Sequence, residues 1–291
     1  MSGSPAFGQR NDASRGIAWM VAASLFFAIQ TTIVKYVAAG GYSALEILWV
    51  RYLVQLALVL PLLWRARSFA LLRSRRPALQ IARSASAMLA AGFGFAAFSL
   101  LPLTLVTSVH FATPFIVAAL SVWFLRERIS TRRWIAILVG FAGVMVIVRP
   151  GTAAWQPALL LPMVGATFYA VFQMLTRAVA AHDPVSTSIF YAPLVGIGAL
   201  GLAMPFVWRT PDAATLGLLL AIGLFGAAGQ ASLTKATEAA AASVVSPFQY
   251  SQLVWVAGAG FIVFGSLPDG WTVAGAAVII TSGLYLLRRG R

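Results

Sequence analysis

About ten stretches of predominantly apolar residues run through this chain, at 16–38, 44–64, 80–99, 103–125, 132–149, 156–180, 185–208, 213–233, 240–264 and 270–288. No other feature constrains the fold as much. A helix of about 20 residues rises far enough to span the roughly 30 Å hydrocarbon core of a bilayer. The sequence between the stretches leaves little room for a soluble domain; the longest connection, WRARSFALLRSRRPALQ, is a short basic loop. Composition agrees: hydrophobic residues make up 60% and charged residues 10%, with mean hydropathy +0.87. A soluble domain carries roughly a quarter charged residues. The predicted fold class is all-α integral membrane, with ten transmembrane helices.

The net charge of +14 suggests a nucleic-acid partner until its distribution is read. With the N-terminus in the cytoplasm and the spans alternating, every Lys and Arg except Lys35, Arg51, Arg149 and Arg209 falls on the cytoplasmic side. This is the positive-inside bias, and it places both termini in the cytoplasm. The basic excess orients the chain; attraction to anionic lipid is a by-product, and no nucleic acid is called for. The chain has no Cys, which excludes disulfides, thiolate nucleophiles and Cys-based metal sites. The stretch from Gly16 is too long and too polar for a signal peptide, so it reads as a retained first helix.

The chain also repeats itself. ASLFFAIQTTIVKYVA at 23–38 aligns with GATFYAVFQMLTRAVA at 165–180, pairing Phe26 with Phe168, Phe27 with Tyr169 and Lys35 with Arg177. Gln173 repeats Gln30 one place later. Thr113-Pro114-Phe115 matches Ser246-Pro247-Phe248, and Phe124 and Gly143 match Phe264 and Gly283. The reading is a cytoplasmic tail 1–15, a five-helix unit 16–149, a linker 150–155, a second five-helix unit 156–288 and a cytoplasmic tail 289–291. An odd number of spans per unit makes the second copy start on the opposite side. Inverted repeats of this kind recur in secondary transporters, with the cargo site near the midplane.

Four segments carry a resemblance to a known family: SLFFAIQTTIVKY in the first span, EILWVRYLVQLALVL with Arg51 in the second, TPFIVAALSVWFLRERISTRRWIAILVGFAGVMVIVRPG across the fourth and fifth, and SPFQYSQLVWVAGAGFIVFGSLPDGWTVAGAAVIITSGLYL across the ninth and tenth. Together, in this order and over nearly the whole chain, they resemble the EamA type of the drug/metabolite transporter superfamily. The resemblance implies export of small metabolites, often amino acids, across the bacterial inner membrane. The family usually has a Glu after the Phe-rich ends of the fourth and ninth spans. Glu127 fits the first copy, but Ser266 stands in the second, which suits a structural role for the acid.

Polar groups inside hydrocarbon are expensive and tend to face a cavity or a partner helix. Gln30 and Gln173 are the leading candidates to line a central site from opposite walls, because an amide offers both donor and acceptor to a zwitterion. An interhelical hydrogen bond is the alternative. His110 lies one turn before Pro114 and is a candidate cargo contact or proton site. Ser246, Gln249 and Gln252 share a helical face, with Tyr250 beside it. Gln230 adds a polar group in the eighth span. Phe26, Phe168, Tyr169 and Tyr191 supply apolar walls, which would suit aromatic or large apolar amino acids. Pro114 and Pro247 each remove a helix hydrogen bond and are candidate hinges. Arg51 is a cation within a span; its recurrence across the resembled family favours a structural charge, like Glu127.

Several classes are excluded or disfavoured. Two His, no Cys and no mid-span acid leave no constellation for an enzyme, a metal or a cofactor. GxxxxGKS is missing, so ATP does not drive transport. The absence of mid-span carboxylates leaves His110 as the proton-coupling candidate, or no ion coupling at all. The expected partners are a small-molecule cargo and the lipid bilayer, and ten spans suffice for a monomer to enclose a pathway. A broad-specificity drug or metabolite exporter is the alternative reading.

Overall fold

Asp12 and Asp212 start the two longest helices of the protein. Their carboxylates accept the backbone N–H of Arg15 at 3.1 Å and of Thr215 at 2.7 Å, donors that a first helical turn leaves open. A computed structural model describes residues 12–66, 74–124, 130–152, 155–240 and 242–288. Its helices are α1 (Ala13–Ala39), α2 (Ala44–Ala66), α3 (Pro77–Leu100), α4 (Leu103–His110), α5 (Thr113–Phe124), α6 (Thr131–Val148), α7 (Leu160–Ala180), α8 (Val185–Gly201), α9 (Met204–Val207), α10 (Ala213–Ala239), α11 (Ala242–Val245), α12 (Ser251–Phe264) and α13 (Gly270–Arg288). Short 3₁₀ turns cover Pro157–Leu159 and Ser246–Tyr250. Among the described residues there is no strand. Among the described residues six helical stretches are long and apolar enough to cross a membrane: 13–39, 44–61, 77–100, 103–120, 157–180 and 213–239. Shorter apolar stretches run over 134–148, 187–201 and 270–285.

The elements depart from the sequence reading at identifiable places. The span expected at 103–125 is two helices, α4 and α5, separated at Phe111 and Ala112. The span expected at 240–264 is α11, a 3₁₀ turn and α12, and the one at 185–208 breaks between α8 and α9. The eighth helix runs on to Ala239, so Thr234, Lys235 and Glu238 belong to α10 and not to a loop. Glu127 lies outside the described residues.

Helix pairing follows a plan. α1 packs on α10, α3 on α7, α6 on α13, α2 on α8 and α4 on α12. Glycines set the closest approaches. Along α10, Gly223, Gly226 and Gly229 receive Val54 of α2 and then Gln30 and Phe27 of α1. A Cβ at Gly226 would stand 2.5 Å from the Gln30 amide nitrogen. Without a hydrophobic force between helices in lipid, such close backbone approach carries much of the packing. Phe115, fully buried, fills the space over Gly140.

Contacts between helix ends collect at two opposite poles. At one, the Lys35 ammonium donates to the Leu101 carbonyl at 2.6 Å and lies over the Phe264 ring. There too, Arg209 reaches Glu46 and Gly40, and Arg149 pairs with Asp269 at 2.6 Å. At the other pole, Lys235 lies over Trp19. Ser282 donates to the Ala136 carbonyl, and Asp183 accepts from Ser74, the Arg75 N–H and Gln80.

Candidate functional site

The break between α4 and α5 follows from one missing hydrogen. Pro114 has no N–H to give to the His110 carbonyl four residues back. The Thr113 hydroxyl donates to that carbonyl instead, at 2.6 Å. The helix ends at His110, and the chain re-enters helix at Thr113 with a changed direction. Pro247 sits in the corresponding interruption of the other half, inside the 3₁₀ turn. A 3₁₀ turn has three residues per turn, so Ser246 and Gln249 lie one above the other.

The two breaks meet. The Phe111 ring lies edge-on to Tyr250, centroids 4.8 Å apart. The His110 imidazole lies against Gly94 of α3, where a Cβ would come within 3.4 Å of Nε2. Gly165 of α7 abuts the same turn, its Cβ position 3.4 Å from the Gly94 nitrogen. Two glycines thus hold α3 and α7 close beside His110. From there an aromatic row descends α7: Phe168 stacks on Phe93 at 5.9 Å, and Tyr169 on Phe172 at 5.6 Å. Tyr169 keeps 38% of its surface open, and His110 is half-buried. His110 and Tyr169 sit about 10 to 14 Å along their helices from the Leu101–Lys35 pole, near the middle of the bundle.

The remaining candidates divide. Phe26 and Gln30 share one face of α1, and that face is turned to α10. Phe26 tilts against Phe225 at 6.1 Å, and the Gln30 amide, 4% exposed, donates to the Ile222 carbonyl at 3.2 Å. Thr31 and Thr32 donate to the Ala28 carbonyl of their own helix. The structure therefore brings Gln30 to α10 and not opposite Gln173. The one-residue displacement in the repeat explains the difference. Phe172 is the aligned counterpart of Gln30, and Gln173, half-buried on α7, is rotated by about 100° from that position. Ser246, Tyr250 and Gln252 are half-buried, and Gln249 is exposed; Ser24 of α1 donates to the Gln249 carbonyl at 3.3 Å. Tyr191 is half-buried on α8, and Gln230 is exposed on α10, which packs on α1, α2 and α11.

Arg51 does not pair with Glu46. Its guanidinium lies over the Phe95 and Tyr52 rings, at 5.6 and 5.8 Å, while Glu46 accepts the Arg209 backbone N–H at 3.0 Å. A groove of about 320 Å³ between α6 and α13, lined by Arg132, Ile135 and Tyr285 among others, holds none of the site residues.

Arg83 enters the sequence reading only as one more cytoplasmic charge, yet in α3 it has partners on two other helices. Nε donates to Thr176 of α7 at 2.9 Å and Nη1 to the Ser188 carbonyl of α8 at 3.4 Å. The guanidinium lies 4.8 Å over the Phe172 ring. The available signal was its position three residues inside an apolar stretch.

The model of the EamA-like transporter family matches residues 14–149 and, separately, 156–288. A riboflavin transporter of Vibrio cholerae is 30% identical, the match covering 94% of this chain and 92% of that one. An S-adenosylmethionine uptake transporter of Rickettsia prowazekii is 28% identical with the same coverage. A pseudopaline exporter of Pseudomonas aeruginosa is 30% identical over 94% of this chain and 96% of its own length. A solved crystal structure superposes with a TM-score of 0.63 at 15% identity, covering 95% and 96% of the two chains, a likeness of fold alone.

Proposed function

The chain belongs to the EamA-like transporter family, and from that premise we propose that it carries amino acids or amino-acid-like metabolites by alternating access between two inverted five-helix halves. It is a multi-pass protein of the bacterial inner membrane, a transporter and not an enzyme, and its cargo is a small molecule. The observation that carries the finer reading is the meeting of the two broken spans. Phe111 of one half meets Tyr250 of the other, and in this reading His110 and Tyr169 line the pathway beside them.

Two further observations support the inverted arrangement. The family model matches the two stretches separately. The end contacts join only residues that alternation assigns to one side: Lys35 with Leu101 and Phe264, Arg149 with Asp269, and Ser74 with Asp183. Polar side chains such as His110, Gln173 and Gln252, with the aromatic rings of α7, would suit a cargo with a zwitterionic part and an apolar or planar part. The names of the relatives fit that description: S-adenosylmethionine carries an amino-acid end and an adenine ring, and riboflavin a planar ring system. Relatives named for uptake and for export match at similar identity, so the family does not by itself fix a direction. Export remains the proposed physiological direction.

The test is uptake of labelled amino acids, S-adenosylmethionine and riboflavin into liposomes containing the purified protein, with and without a pH gradient. Saturable flux that Tyr169→Ala and Gln173→Ala weaken through KM is the expected result. Dependence on the pH gradient would assign proton coupling to His110. Flux of riboflavin with none of any amino acid or S-adenosylmethionine would replace this reading with the broader metabolite carrier.

A further inference from the structure

The Arg83 guanidinium is a half-buried cation to which no carboxylate among the described residues supplies a counter-charge. Among the described residues Arg149–Asp269 is the ion pair, and the other carboxylates are engaged elsewhere. Asp12 and Asp212 cap helices, Glu46 holds the Arg209 N–H, and Asp183 is taken by Ser74, Arg75 and Gln80. Glu238 lies exposed at the far end of α10. Arg83 turns across the bundle to α7 and α8 and lies over Phe172, whose ring stacks in turn on Tyr169.

A desolvated cation is costly unless an anion meets it. The planar guanidinium fork is suited to an oxyanion, which it can hold through two parallel hydrogen bonds. We propose that Arg83 receives the oxyanion of the cargo, a carboxylate or a phosphate, while the Phe172–Tyr169 row receives its ring or apolar part. Arg83 lies about 9 Å along α3 from its cytoplasmic end, so the contact is made on the cytoplasmic half of the pathway. This deepens the transport reading and rests on it: the cargo class becomes an anionic or zwitterionic metabolite with a flat or apolar body. Thr176 and the Ser188 carbonyl act as positioning groups that fix the fork.

The experiment uses matched pairs that differ in the oxyanion alone: tryptophan against tryptophan amide for a carboxylate, and riboflavin 5′-phosphate against riboflavin for a phosphate. Binding is read as the rise in unfolding temperature of the purified full chain, and transport as flux into liposomes, for wild type, Arg83→Lys and Arg83→Gln. The expected result is that one anionic member binds and moves better than its neutral partner. Arg83→Gln should raise its KM on the order of a hundredfold and erase the preference, leaving the neutral partner nearly unchanged; Arg83→Lys should restore part of it. The pair that shows the preference tells carboxylate from phosphate. Equal loss for both members of a pair would make Arg83 a structural clamp and overturn the proposal. So would a wild type that no anionic member stabilises more than its partner. Preferential binding without any flux would count against transport and leave the role of Arg83 standing.

Discussion

Asp183 shows how one carboxylate can hold a pole of the bundle. The Ser74 hydroxyl, the Arg75 N–H and the Gln80 amide all donate to it, and they hold its pKa below the ordinary value although burial opposes them, Ser74 having the largest effect. A carboxyl depressed in the folded state stabilises above its unfolded pKa of about 3.9 and loses that contribution as pH falls through the lower folded value. The unfolding temperature of Asp183→Asn in detergent should lie below that of wild type by a constant gap from pH 7 to about pH 4. The gap should close on further acidification; a gap that widens in acid would mean that another group carries the effect. Gln30 makes a second case at this scale. Its amide serves the Ile222 carbonyl, so Gln30→Leu should cost about 1 kcal/mol of stability and leave the KM for cargo unchanged. A changed KM would show that the amide reaches the cargo after all.

Between helices, the seam of α1 and α10 depends on what α10 lacks. Gly226 has no room for a Cβ beside Gln30, whereas Gly258 and Gly198 have nothing within 4 Å. Gly226→Ala should therefore destabilise by about 1–3 kcal/mol, and Gly258→Ala should be neutral or slightly stabilising. In the double variant Gly226→Ala with Gln30→Ala, the two losses should sum to less than their separate values, because removing the amide vacates the space the new methyl needs. Thermal unfolding of the four proteins completes the cycle, and strict additivity would refute the contact. This seam also marks the limit of what the sequence could say. The apolar stretches were legible because backbone in hydrocarbon has to satisfy itself within a helix. Pro114 flagged the α4–α5 break for a similar reason. But α1 is apolar nearly all round, so its pattern has no face to read, and the direction of Gln30 was hidden. Arg83 was hidden by its neighbours: among so many loop arginines, one more reads as orientation and not as a group turned inward.

For the whole molecule, the repeat was legible in residues such as Phe26 and Phe168, while the relation between the halves depends on which poles the helix ends occupy. Lys35, Arg149, Asp269 and Arg209 gather at one pole, and Ser74, Asp183, Lys235 and Trp19 at the other. If the two halves are inverted, one pole faces the cytoplasm throughout, and the basic bias of the sequence makes it the Asp183 pole. The chain contains no Cys, so single-cysteine variants report one position each without background. Ala39→Cys and Leu267→Cys stand exposed at the Arg149 pole, and Ser130→Cys and Glu238→Cys at the Asp183 pole. In intact cells, a membrane-impermeant maleimide should label the first two and reach the last two only after permeabilisation. The reverse pattern would invert the orientation. Labelling that splits Ala39 from Leu267 would break the inverted arrangement itself, because the first lies after one crossing and the second after nine. That outcome would also remove the proposed mid-depth site, since Phe111 and Tyr250 meet as parts of one pathway only if the two broken spans run oppositely through the same membrane.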